Sequence, residues 1–258
     1  MTDVNSTKRR LILSALATGG AWVLAGCERL GATEGFQKVL GLGETLNGAT
    51  HKLIGRRAMA QEFTPADLSP SFRGNGNTNP DSDDYQTLAK AGFANWTLAI
   101  DGLVEQPAKF TLAQLKAMPV RTQITRHDCV EGWSAIGKWT GVPLATLLAV
   151  VMPRPEARFV VFHCADTFAG DSDDKVPYYE SIDLDDAYHA QTILAYALND
   201  QPLPVTNGAP LRLRVERQLG YKHAKYLMRI ELVDNFQSIG EGKGGYWEDQ
   251  GYQWYAGI

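Results

Sequence analysis

Cysteine is scarce. The 258 residues hold three, Cys27, Cys129 and Cys164. Three thiols make no disulfide framework, so stability must come from a packed core. No Cys-x-x-Cys-His sequence occurs, which excludes a covalently attached haem of that kind. Neither a dinucleotide nor a P-loop glycine signature is present, so nicotinamide and ATP chemistry have no foothold. A Gly-x-Ser-x-Gly elbow is missing as well. No repeat or low-complexity run is visible. The formal charge of −4 argues against general nucleic-acid binding, and no nucleic-acid partner is expected. What is present is an ordinary apolar fraction of 44%, enough at this length for a substantial core.

The one long uncharged run lies at the start. Lys8-Arg9-Arg10 precedes an apolar stretch from Leu11 to Ala25, an n-region and h-region too short for a confident spanning helix. It ends in Leu24-Ala25-Gly26-Cys27, which resembles a bacterial lipobox, so Cys27 is the expected lipidation site. The paired Arg9 and Arg10 resemble a twin-arginine export signal, a route for folded cargo. A plain N-terminal anchor is the alternative. Either way the body is expected on the periplasmic side, tethered to a membrane. The expected organisation is an export signal over 1–26, a tether over 27–65 and a folded domain over 66–258. Phe36, Val39, Leu40, Leu42 and Leu46 give the tether a weak amphipathic helix.

The stretch that organises the body is Thr125-Arg126-His127-Asp128-Cys129-Val130-Glu131-Gly132-Trp133-Ser134. Val120 to Thr125 alternates and predicts a strand. Gly132 breaks it, and Gly141-Val142-Pro143-Leu144 starts a helix. Cys129 therefore sits at a strand end, on a connecting segment. There it could ligate a metal, act as a nucleophile or fill space as a small hydrophobe. A zinc set of His127, Cys129, His163 and Cys164 lacks paired ligand spacing.

Elsewhere the pattern predicts a glycine-spaced loop at Phe72-Arg73-Gly74-Asn75-Gly76-Asn77, able to approach a ligand closely. Asp81 to Asp84 reads as a solvated acidic run. Strands are expected at 96–104, 158–164, 211–215 and 226–233. Helices are expected from Thr111 to Met118 and around Ser181 to His189. Arg212 and Arg214 alternate onto one face. Six basic side chains and one acid between Arg212 and Arg229 make a local positive field suited to a phosphate, or else a solvated face. The aromatic C-terminus, Tyr246 to Tyr255, should pack on the body or rim a pocket.

Three of these stretches together resemble the molybdenum-cofactor domain of the sulfite oxidase family, most closely its exported bacterial methionine-sulfoxide reductase branch. They are Cys129-Val130-Glu131-Gly132-Trp133-Ser134 with Gly141-Val142-Pro143-Leu144, Asn207-Gly208-Ala209-Pro210-Leu211-Arg212, and Gly220-Tyr221-Lys222-His223-Ala224-Lys225. The likeness runs from about Pro70 to the end. It implies an α+β fold of mixed sheets with short helices, and a bound molybdopterin.

By the same resemblance Cys129 is the thiolate on molybdenum, a soft ligand for a sulfur-rich centre. Arg212, Lys222 and Lys225 hold the pterin phosphate. His223 and Ala224 lend polar or backbone groups, and Asn207 and Asn75 contact the same cofactor. Glu131 matches an acid close to the metal and could tune proton uptake. Cys164 stands where relatives place a Thr, so a side-chain hydroxyl contact is lost or is taken by Asp166 or Thr167. Ser134 stands where animal-type sulfite oxidases carry an anion-binding Arg.

The implied activity is two-electron oxygen-atom transfer, reducing small-molecule or protein S-oxides, or N-oxides. Electrons would come from a membrane haem or quinone-linked subunit, or a cytochrome. A sulfite or sulfur-compound oxidase, a metal-free binding or assembly lipoprotein, and a thiol hydrolase or transferase are the alternatives.

Overall fold

The computed structural model describes residues scattered between 33 and 50, then 58–169 and 175–258. The expected signal over 1–26, Cys27 and the acidic loop over 170–174 lie outside the described residues. The chain divides into one unit up to Gly55 and another from Arg56. In the first, the described residues between 35 and 50 are helical, and Phe36, Val39, Leu42 and Leu46 are exposed. The body begins earlier than residue 66. Phe63 donates its amide to Ile124, and Ala60 exchanges hydrogen bonds with the Gln191 side chain.

The second unit is built on two five-stranded sheets. One has the order β2-β1-β10-β5-β6, from Ala108–Thr111, Thr97–Gly102, Leu227–Val233, Phe159–Ala169 and Lys175–Asp183. Its β1–β10 pair is parallel and the others antiparallel, so the sheet is mixed. The other runs β3-β4-β7-β8, from Arg121–Cys129, Trp133–Pro143, Ile193–Leu198 and Gln201–Pro202, with β9 (Arg212–Arg214) also on β7. Short helices fill the gaps: α1 Asp83–Lys90, α2 Leu112–Ala117, α3 Leu144–Val151, α4 Leu184–Ala187 and α5 Tyr246–Asp249.

Local chemistry explains these elements. Thr111 caps α2 in a capping box with Gln114. Asp183 caps α4 by accepting the Asp186 amide. The acidic run at 81–84 is more than solvated: Ser82 caps α1, and Asp83 and Asp84 face its positive end. Asn199 and Asp200, both at positive φ, turn β7 into β8. Leu144, Leu147, Leu148 and Val151 of α3 are fully buried beside Leu98, Ile100, Val160, Phe162, Ile230 and Leu232. Each such side chain contributes roughly 2 kcal/mol by leaving water.

Two expectations change. Trp133–Pro143 is an eleven-residue strand, where the sequence reading placed only a break and a helix start. Its Gly137 and Gly141 are packing glycines. A Cβ on Gly137 would stand 2.8 Å from the Phe72 ring, and one on Gly141 would collide with the Leu194 carbonyl. Also, β3 turns its polar residues inward. Gln123, Thr125 and His127 are each 1% exposed, while Val120 is 57% exposed. The inner face of β3 meets a buried charge layer, where Gln123 bonds Glu216 and His127 bonds Arg214.

Candidate functional site

The β3–β4 hairpin carries Cys129 to its tip. Cys129 pairs with Trp133 in the ladder, and the Gly132 amide closes the turn on the Cys129 carbonyl at 3.0 Å. Gly132 sits at φ +85, a left-handed conformation that favours glycine. Glu131, in that turn, ties two pieces together. Its Oε1 accepts the Gly76 amide at 3.0 Å, and its Oε2 accepts Trp133 Nε1 at 2.9 Å. The 72–77 loop is thus fastened to the hairpin. From the other side, Lys225 Nζ donates to the carbonyls of Asn75 and Asn77. Tyr226 adds a hydroxyl bond to Asn77 at 3.1 Å.

Between these pieces lies a cleft of about 730 Å³. Of the residues singled out from sequence, Asn75, Cys129, Glu131, Asp166, His223 and Lys225 line it. Cys164, Asn207, Arg212, Lys222 and Ala224 do not. Asn207 and Arg212 stand behind it: Arg212 donates to the carbonyls of Asn207 (2.9 Å) and His223 (3.3 Å), and Asn207 Nδ2 reaches the Phe72 carbonyl. Ala224 spends its backbone groups on Lys222 and Leu213. Cys164 is on β5, its thiol directed at the Phe162 carbonyl.

Lys222 departs most from expectation. Its ammonium is fully buried between Glu180 and Glu248, away from the cleft lining, so its charge is already met by carboxyl groups rather than offered to a phosphate. Sequence reasoning passed over Phe168 and Tyr178 of the β5–β6 hairpin, which also line the cleft. Trp247 and Tyr252 were foreshadowed by the aromatic C-terminus.

The basic segment is no solvated face. Arg212 and Arg214 are fully buried, with their guanidinium carbons 5.0 and 4.4 Å from the Trp139 ring centroid. Arg214 holds Glu216 with two bonds and reaches His127 Nδ1 at 2.9 Å. Nδ1 therefore accepts, and the ring proton sits on Nε2. His223 places Nε2 on the Gln218 carbonyl at 2.9 Å, leaving Nδ1 as a bare acceptor. Burial, then the neighbouring arginines, hold both histidines well below the usual histidine value, so both are neutral. Burial and Arg214 pull Arg212 down to about 9, still protonated at neutral pH.

The other groups at the cleft divide cleanly. Burial pushes the Cys129 thiol up, and the Glu131 charge adds to it; the Glu131 amide, Arg73 and Lys225 oppose. The free thiol is protonated, and a bound metal ion would displace that proton. With His127 neutral and occupied by Arg214, no base serves the thiol, which disfavours the thiol-hydrolase reading. Hydrogen bonds from Trp133 and Gly76 hold Glu131 below the usual carboxylate range. Glu131 is thus an anion and a fastener, not a proton store at neutral pH. Burial pushes Asp166 up and Lys225 down, each partly offset by the other.

The cleft combines positive charge from Lys225, with Arg212 behind it, and unpaired acceptors suited to the N–H groups of a polar ligand. Asn75 Oδ1, Asp166 Oδ1, Arg212 Nε and His223 Nδ1 are buried without hydrogen-bond partners among the described residues. Each costs about 1–3 kcal/mol unless a ligand or water meets it. Among the described residues no three His, Cys, Asp or Glu side chains converge on one point. A metal at Cys129 would therefore take its other ligands from a bound cofactor. A pterin with a phosphate tail fits this set.

Comparison with known proteins agrees. The oxidoreductase molybdopterin binding domain family matches residues 85–239. A protein of Azospira oryzae named as a protein-methionine-sulfoxide reductase subunit, YedZ1, is 34% identical over 250 residues, 97% of this chain and 87% of that protein. The protein-methionine-sulfoxide reductase catalytic subunit MsrP of Xanthomonas axonopodis is 31% identical over 237 residues, 88% of this chain and 70% of its own length. MsrP of Gluconobacter oxydans is 40% identical over 151 residues, 54% of this chain and 47% of that protein. With a thiol at the hairpin tip, unpaired buried polar atoms behind it and these relatives, the chain belongs to the oxidoreductase molybdopterin binding domain family and is a molybdopterin-dependent oxidoreductase.

Proposed function

We propose that the chain reduces S-oxides, protein-bound methionine sulfoxide foremost, by two-electron oxygen-atom transfer. The observation that carries this is Cys129 at the tip of a hairpin fastened to the Asn75 loop, in a chain whose relatives are named methionine-sulfoxide reductase subunits. When bound, the cofactor supplies the two-electron redox chemistry.

The residues do the rest. Cys129 would hold the metal through Sγ. Lys225, with Arg212 behind it, would neutralise the phosphate. His223 Nδ1 and the side-chain Oδ1 of Asn75 would accept hydrogen bonds from pterin N–H groups. Asp166, shifted towards neutrality, is the cleft carboxyl suited to carry a proton. Glu131 fixes the hairpin tip against the loop.

Ser134 speaks against sulfite as substrate. Its hydroxyl bonds Asp128, whose other oxygen takes Arg126, so that position presents no cation to an anion. The unpaired buried polar atoms speak against a metal-free binding module. With no haem motif in the chain, electrons would come from a membrane haem or quinone-linked subunit, or a cytochrome; the relatives' naming as subunits supports a partner. Export through the 1–26 signal and a lipid tether at Cys27 complete the proposal and rest on sequence.

Turnover with a reduced dye tests it. Peptide and free methionine sulfoxide and an N-oxide would be compared with the reduced dye as donor, and sulfite with the oxidised dye as acceptor. Sulfoxide turnover well above sulfite oxidation is expected. Sulfite oxidation without sulfoxide reduction would overturn it.

A further inference from the structure

After β10 the chain returns to the cleft wall. Trp247 of α5 and Tyr252 just beyond it line the cleft wall, their rings 5.2 Å apart. Tyr246 stacks on Phe168 with ring centroids 4.9 Å apart. This stretch lies beyond residue 239, where the family match ends.

One buried ammonium fastens it. Lys222 Nζ donates to Glu248 Oε1 of α5 and to Glu180 Oε1 of β6, each at 2.5 Å, and all three side chains are essentially fully buried. The next residue in the chain is His223, which lines the cleft. A single side chain thus joins the ligand-facing loop to the segment that covers it. The cluster holds one carboxyl more than its cation balances. Burial pushes Glu180 well above the usual carboxylate range; Lys222 opposes that shift and Glu248 adds to it. Gly245 leaves room for both acids: a Cβ there would collide with Glu248 Oε2 and stand 2.7 Å from Glu180 Oε1.

We propose that residues 244–252 are a latch over the cleft, closed by the Lys222–Glu248 pair, and that these two are positioning residues that govern how long a bound pterin is retained. The idea rests on the cleft being the molybdopterin site. Lys222 then serves the cofactor from behind the wall, through the segment it holds down.

The test uses Glu248→Ala in the full protein carrying its cofactor. The variant should keep a folded core, because Glu180 remains as counter-ion to Lys222. Two quantities are read: hydrogen exchange of amides 244–252, and release of fluorescent pterin. Both should rise about tenfold or more, the loss expected for a hydrogen bond between charged groups. Exchange in the β3–β4 hairpin should stay at the wild-type rate. Glu248→Gln keeps an acceptor for Lys222 and should restore retention.

Wild-type release and exchange in Glu248→Ala would overturn the latch. So would a rise in exchange spread over the whole body, which would make the pair a general support. A wild-type protein without pterin would instead sink the reading of the cleft. Exchange at 244–252 would still decide the latch: a selective rise supports it and no change refutes it.

Discussion

Among the described residues Glu216 is the only carboxylate bound to the buried Arg214, whose third bond goes to His127. Removing it leaves a guanidinium in a dry layer with no counter-charge. Glu216→Ala should therefore cost about 3–5 kcal/mol, read as a lower urea midpoint. An unchanged midpoint would mean that the pair is not a support. Asp166 gives a prediction with a defined sign. Burial raises its folded-state pKa to about 7 from the ordinary aspartate value of 3.8. The folded state thus holds this proton more tightly than the unfolded one. Its contribution to stability is complete below the unfolded value and is lost as pH rises through the folded value. Asp166→Asn has no such loss. Relative to wild type the variant should gain about 4 kcal/mol between pH 4 and pH 8, measured by chemical unfolding at each pH. A constant difference across that range would contradict the burial argument.

At the scale of elements, the hairpin and the loop at 72–77 act together. Gly132 takes a left-handed conformation, so Gly132→Ala should cost about 1–2 kcal/mol and shift the Cys129 tip. Equal stability of the two proteins would mean that the turn tolerates a side chain. Gly137→Val pushes on Phe72, so it should loosen the 72–77 loop and raise its proteolysis while α3 stays protected.

These elements also show what could be read from sequence. The capped helices α2 and α4, the strands β1, β5 and β10 and the strand end at Cys129 were legible, since caps, turns and alternation are local. β4 was not, because Gly137 and Gly141 look like breakers until Phe72 and Leu194 are placed against them. The inward polar face of β3 was hidden too. Alternation tells that two faces differ, and only the buried Arg214–Glu216 pair tells which one is inside. For the same reason the basic segment was legible as charge but not as burial. Lys222 looked like its neighbour Lys225 until Glu180 and Glu248, 42 and 26 residues away, closed on it.

At the scale of the molecule, the site is assembled from four distant stretches: the loop at 72–77, the hairpin tip, the β5–β6 hairpin and the run from Gly220 to Lys225, with the C-terminal segment above them. The parallel pairing of β1 with β10, which joins the two ends of the body, has no local signature and could not be foreseen. The measurement that reaches the central claim most directly is the molybdenum and pterin content of the purified protein, beside a Cys129→Ser variant. The account predicts near-stoichiometric metal and pterin in the wild type. In the variant the pterin is retained by the Lys225 side of the cleft, while the metal is lost or its spectrum altered. A folded wild-type protein free of both, made in a host that synthesises the cofactor, would contradict it.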